Sequence, residues 1–132
     1  MITRAFLHTI CLALSCFAIS PSLLAKPVLT EKAKIETLIA HLETLDGATF
    51  IRNGKDYDAR TAARFLRGKW QAHDEEIKTA ADFIAKAATS SSTTGKPYVL
   101  RFKDGTTTPC GDYLTAQLKK PDSAPPDKRQ AR

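Results

Sequence analysis

The stretch Lys96-Pro97-Tyr98-Val99-Leu100-Arg101-Phe102-Lys103-Asp104-Gly105-Thr106-Thr107-Thr108-Pro109 decides the fold class. Tyr98, Leu100 and Phe102 alternate with Val99 and Arg101, the period of a strand with one buried face. Asp104-Gly105 is a hairpin dipeptide, and the chain returns through Thr106-Thr107-Thr108. Pro109 ends the returning strand because it has no N–H for the ladder. An antiparallel hairpin in a chain whose other segments carry helical spacing predicts an α+β domain rather than a helical bundle.

Further upstream, Ala48-Thr49-Phe50-Ile51-Arg52 reads as another strand, closed by the turn dipeptide Asn53-Gly54. Before it, Thr30 can cap a helix whose Ile35, Leu38, Ile39, Leu42 and Leu45 share one face, with Gly47 as a left-handed stop. A second helix starts near Asp58 and lines up Ala59, Ala62, Ala63, Leu66 and Trp70, with Phe65 widening that face and Gly68 weakening the helix. Thr79-Ala80-Ala81-Asp82 resembles a capping box and opens a third helix with Phe83, Ile84, Ala87 and Ala88 inward. A last helix is expected from near Asp112 through Tyr113, Leu114, Gln117 and Leu118. The expected architecture is three to four helices packed on a small, mainly antiparallel sheet, in one domain over residues 26–118.

At 132 residues, with 42% hydrophobic, 26% charged and 8% aromatic residues, the chain fits one small domain. It excludes collagenous, coiled-coil, wholly disordered and multi-span membrane classes. Residues 1–25 read as a secretory signal peptide. Arg4 gives the positive start, Ile10 to Ile19 is almost wholly apolar, and Pro21 breaks the helix. The alternative is an uncleaved N-terminal anchor. Cleavage after Ala25 is expected, with Ser20 as a second position. Ala13-Leu14-Ser15-Cys16 is a poor lipoprotein box, because Ala13 stands where Leu is usual.

Removal of that segment takes Cys11 and Cys16 with it and leaves Cys110 alone, so no intrachain disulfide can form. A lone thiol is either buried and inert or open to intermolecular pairing. No stable membrane-spanning segment remains after such cleavage. Residues 119–132 read as a disordered, proline-rich tail with five basic and two acidic residues. Residues 26–118 then hold 14 basic against 12 acidic residues, too mild a balance for nucleic-acid binding.

Catalytic and metal motifs are absent from the sequence. There is no His-Glu-x-x-His and no Gly-x-Ser-x-Gly, and neither His41 nor His73 has a His or Cys partner at ligand spacing. No catalytic residue, metal ligand or cofactor is assigned. Asp56 and Asp58 are explained by turn and cap duty. Two surfaces stand out instead. Arg60, Arg64 and Arg67 recur at helical spacing, with Arg52 and Lys55 in the preceding turn, and can hold an anionic partner. The bland alternative is a solvated helix face. No acidic residue lies between Ala59 and His73, so relief of their repulsion falls to a partner or to Asp74, Glu75 or Glu76. The second is the loop around Ser91, Ser92, Thr94, Gly95, Lys96 and Tyr98, whose hydroxyls and amides can bind a phosphate, carboxylate or sugar. It is not a Walker loop, because Ser90 replaces the first Gly and Pro97 follows the Lys. Its bland alternative is a helix-to-strand connection whose hydroxyls satisfy its own backbone.

Phe50-Ile51-Arg52-Asn53-Gly54, Ile77-Lys78-Thr79-Ala80-Ala81-Asp82-Phe83-Ile84 and Ser90-Ser91-Ser92-Thr93-Thr94-Gly95-Lys96-Pro97-Tyr98 together resemble the YfeK-like family of small exported bacterial proteins, a domain of unknown function. The resemblance covers roughly residues 35–118. It departs at Phe65-Leu66, where the family often has His-Leu. It implies export and a common fold, and no activity. The expectation is an exported, periplasmic or secreted, non-enzymatic module that binds a ligand, a partner protein or an anionic envelope component. Two other classes stay open. One is a small envelope hydrolase with a carboxylate or Cys110 site. The other is a peripheral envelope protein held to anionic surfaces by its basic tail.

Overall fold

A computed structural model describes residues 28–120. The expected signal segment and nearly all of the expected tail lie outside the described residues. The elements run α1 (Glu31–Glu43), β1 (Thr49–Arg52), β2 (Lys55–Asp58), α2 (Ala59–Ala72), α3 (Ala80–Phe83), a π-helical turn (Ile84–Ala88), β3 (Val99–Arg101), β4 (Thr107–Pro109) and α4 (Cys110–Leu118). The sheet order is β2-β1-β3-β4, and every pairing is antiparallel. The fold is α+β in one domain. Among the described residues, no helix is long and apolar enough to cross a membrane.

The helices form where the chain supplies both a cap and an apolar stripe. Thr30 accepts from the Ala33 N–H at 3.2 Å and starts α1, which buries Ile35, Leu38, Ile39 and Leu42. Each such side chain stabilises by about 1.5–3 kcal/mol. Asp58 accepts from the Thr61 N–H at 2.7 Å and starts α2. At α3 the capping box is complete, with Thr79 and Asp82 satisfying each other's backbone N–H.

Phe50 of β1 pairs with Leu100 of β3 on one side and Tyr57 of β2 on the other. Phe50 and Leu100 are buried against the helices. Residues two apart in a strand share a face, so Arg52 stands on the helix-facing side with Phe50. The Asn53-Gly54 turn has φ of 51° and 75°, the left-handed pair that a two-residue hairpin needs.

Four expectations are corrected. The strand ending at Arg52 is followed at once by β2, which sequence patterning missed. Lys55, Asp56 and Asp58 are exposed, so this edge strand shows no apolar alternation. The first helix stops at Glu43, with Thr44 as its cap, and Gly47 (φ 67°) turns the chain three residues later. The third helix is one α-turn followed by a π-turn, where Thr89 Oγ1 donates to the Ile84 carbonyl at 2.7 Å. The last helix begins at Cys110, not near Asp112, because Pro109 serves both as the end of β4 and as the helix cap.

Cys110 is fully buried, and burial pushes its thiol up to about 12. Its Gly111 neighbour is packed so closely that an added Cβ would lie 2.7 Å from Thr89 Oγ1. Of the two readings of a lone thiol, the structure gives the buried one.

Candidate functional site

Asn53 joins the two surfaces that the sequence singles out. Its Nδ2 donates to Ser91 Oγ at 3.3 Å, and its Oδ1 accepts from Thr94 Oγ1 at 2.6 Å. This latch fixes the Ser90–Tyr98 loop against the β1–β2 turn. The loop also closes on itself, through Ser91 N–H to the Lys96 carbonyl at 2.9 Å and Gly95 N–H to the Ser91 carbonyl at 2.8 Å. Ser91 and Thr94 therefore hold the loop's shape. Lys55, Gly95 and Lys96 are exposed and stand apart from the cleft the loop helps to form.

Between this loop, β1 and α2 lies a cleft of ≈ 390 Å³. Arg52, Arg64, Phe65, Gly68, Lys69, Ala72, His73, Ser92, Thr93 and Tyr98 line it. The Arg52 guanidinium carbon lies 4.2 Å above the Phe65 ring centroid. Its Nε is shielded from solvent and has no hydrogen-bond partner among the described residues. Lys69 Nζ donates to the Ser90 carbonyl at 2.9 Å and to the Tyr98 hydroxyl at 3.3 Å. An ammonium has three donors, so one stays free. Burial holds Lys69 below its ordinary pKa, and the nearby Arg52 charge adds to the effect. Burial raises the Tyr98 phenol, with the Arg52 charge pulling the other way.

The lining contains no carboxylate. Among the described residues, Arg52, Arg64 and Lys69 make no ion pair. Some other cations of the fold are paired. Arg67 pairs with Glu36 of α1 at 3.3 Å, Lys103 with Asp46 at 2.7 Å, and Arg101 with Asp56. The arginine row is thus divided. Arg67 turns to α1, and its relief comes from Glu36 rather than from Asp74, Glu75 or Glu76. Arg60 and Arg64 border a different hollow of ≈ 620 Å³, where Glu43, Asp46 and Asp58 offset them. Arg64 alone of the row also lines the cleft.

Sequence reasoning missed Phe65, Gly68, Lys69, Ala72, His73 and Thr93 as cleft residues. The available signal was spacing. Arg64, Gly68 and Ala72 form one i+4 row on α2, and Phe65 and Lys69 form the adjacent one. Gly68 leaves the middle of that face open, since an added Cβ there would meet nothing within 4 Å.

The remaining titratable groups offer less. His41 Nε2 is 2.9 Å from the Tyr113 hydroxyl, with the rings stacked at 5.9 Å. Burial, and then the Lys120 charge, hold His41 below its ordinary pKa. No cluster of three metal-ligating side chains exists among the described residues.

Comparison with known proteins gives kinship without an activity. The chain is 41% identical over 68 residues to "Uncharacterized protein YfeK" of Salmonella typhimurium strain LT2, a match covering 52% of this chain and 57% of that relative. The chain therefore spans little more than half the length of the curated relative it matches. No solved structure matches. Residues 29–122 match DUF5329, a family of unknown function. The YfeK-like resemblance and the family match agree, and the chain belongs to the DUF5329 family.

Proposed function

We propose that the chain is an exported, periplasmic or secreted, non-enzymatic module that takes a small anionic group in the cleft. The group is a phosphate, sulfate or carboxylate, borne by an envelope component or a partner. One observation carries the reading. Arg52 and Lys69 line one cleft that holds no carboxylate, where burial, and then the Arg52 charge, lower the Lys69 pKa. Two partly desolvated like charges repel, and an anion between them removes that repulsion. The remaining Lys69 donor and the Arg52 guanidinium, which lines the same cleft, suit the oxygens of such a group, and charge-assisted bonds of this kind are the strong ones. The hydroxyls of Ser92 and Thr93 add donors at the rim.

Export rests on Arg4, the apolar run through Ile19 and Pro21. The hydrolase alternative loses its cysteine form, because a buried thiol raised to about 12 supplies no thiolate at neutral pH.

Thermal unfolding in inorganic phosphate, against sodium chloride at equal ionic strength, tests the reading. At a hundred times its dissociation constant, phosphate stabilises by about 2.7 kcal/mol. For a domain of this size that is a rise of roughly 10 °C or more. Arg52→Gln and Lys69→Gln are each expected to reduce the rise, and Gly68→Leu to abolish it by filling the cleft. An identical melting curve in phosphate, sulfate, acetate and chloride would refute the reading.

A further inference from the structure

Beside the cationic cleft is a separate hollow of ≈ 120 Å³, lined by Phe50, Arg52, Tyr57, Thr61, Ala62 and Phe65. Its walls are mostly apolar. Phe50 and Ala62 belong to the core, and the Phe50 and Phe65 rings tilt at 49° with centroids 6.5 Å apart. The Thr61 hydroxyl already donates to Asp58 Oδ2 at 3.0 Å. A water needs two to four polar partners to be well held, and this hollow offers little beyond its Arg52 and Tyr57 edge. An apolar cavity of about 150 Å³ in another protein holds a benzene ring, so the size suits a ring or a short branched chain.

Arg52 and Phe65 line both spaces. The guanidinium carbon sits over the Phe65 ring at the seam, with Lys69 on the cleft side. We propose that the anion taken by the cleft carries a compact apolar group, aromatic or branched-aliphatic, which enters this hollow past the Arg52–Phe65 edge. The inference rests on the anion-binding reading and narrows it. A bare phosphate or a sugar phosphate satisfies the cations and leaves the hollow unfilled. An aryl phosphate or aryl carboxylate satisfies the cations and also buries its ring against Phe50 and Phe65. Apolar burial scales with area, so the second class gains affinity that the first cannot.

Calorimetric titration of the full chain with inorganic phosphate, glycerol 3-phosphate and phenyl phosphate tests this. Acetate and phenylacetate form the carboxylate arm, which distinguishes the two sources of negative charge. At least tenfold tighter binding of phenyl phosphate than of the other two phosphates is expected, with the same order in whichever arm binds. Thr61→Leu, which fills the hollow from the exposed side of α2, is expected to erase the preference and keep phosphate binding. Should that variant fail to fold, nuclear Overhauser contacts from the phenyl protons to the Phe50 and Tyr57 rings of the unaltered chain decide instead. Equal affinity for phosphate and phenyl phosphate overturns the inference and leaves the anion site standing. A preference that survives in folded Thr61→Leu, or a ring with no contact to Phe50 and Tyr57, also overturns it. Absence of binding by every probe overturns both readings.

Discussion

The two sides of α2 treat charge in opposite ways. Toward α1 and the core behind it, the partly buried charges are paired or suppressed. Arg67 meets Glu36, while burial favours the neutral forms of His41 and Cys110. Toward the Ser90–Tyr98 loop it is neither. Arg52 and Lys69 stand together, partly desolvated, with no carboxylate in their lining. The first side is what folding alone selects, since an unpaired, desolvated charge costs stability. The second keeps that cost in place, and the contrast is the reason for proposing a ligand there.

The strongest way to sharpen this contrast is on the suppressed side. The Cys110 thiol is raised from an ordinary 9.0 to about 12 in the folded chain. A raised acid leaves stability whole below the unfolded value and removes it as pH climbs toward the folded value. A loss of up to about 4 kcal/mol is expected between pH 9 and 12. Denaturant melts across that range measure it, and Cys110→Ala should flatten its share of the decline. A wild-type profile that Cys110→Ala reproduces would show that other groups carry the alkaline limb. The thiol should also resist alkylation at pH 8 until the chain unfolds.

A second test probes the cleft without its ligand. Gly68 stands inside α2, where Ala is favoured by about 1 kcal/mol and its Cβ meets nothing within 4 Å. Gly68→Ala is therefore expected to raise stability by up to about 1 kcal/mol in the absence of anion. Phosphate titration of the same variant should show weaker binding, because the new methyl enters the cleft. Gain in both properties would break the claim that Gly68 keeps the cleft open.

The smallest effect belongs to the paired side. A double-mutant cycle on Arg67→Gln and Glu36→Gln should return about 0.2–1 kcal/mol, the usual worth of a half-exposed pair. The anion response should be unchanged in both single variants. Loss of phosphate binding in Arg67→Gln would extend the site across the helix and erase the contrast between its sides.

Much of the fold was legible where one segment carries its own signal. Thr30, Asp58 and the Thr79–Asp82 box announce helix starts by local hydrogen bonding alone. Tyr98 and Leu100 show their burial by alternation. β2 was not legible, because its register comes from backbone pairing with β1 and not from its own Lys55-Asp56-Tyr57-Asp58. The π-turn was hidden for a related reason, since Ala87 and Ala88 suit either helical pitch. The cleft was half legible. Arg52, Arg64 and the hydroxyl loop each stood out, yet their meeting depends on the β1–β3 pairing and the Asn53 latch, both contacts between distant parts of the chain. Lys69 was overlooked because a single lysine in a basic helix carries no pattern of its own.

The π-turn makes the cleft sensitive to chain length in a way it is not sensitive to composition. Each residue advances a helix by about 100° of rotation. Ile84–Ala88 holds one residue more per turn than an α-helix would, and Thr89 and Ser90 leave it directly. Removing any one residue there would let the turn close as α and break the Thr89 Oγ1 bond to the Ile84 carbonyl that fixes the exit. The Ser90 carbonyl that receives Lys69 would then point elsewhere, with every cleft side chain still present. An unbroken count from Thr79 to Ser90 is thus as much a part of the proposed site as its arginines, and a relative shorter by one residue there would keep the charges and lose their arrangement.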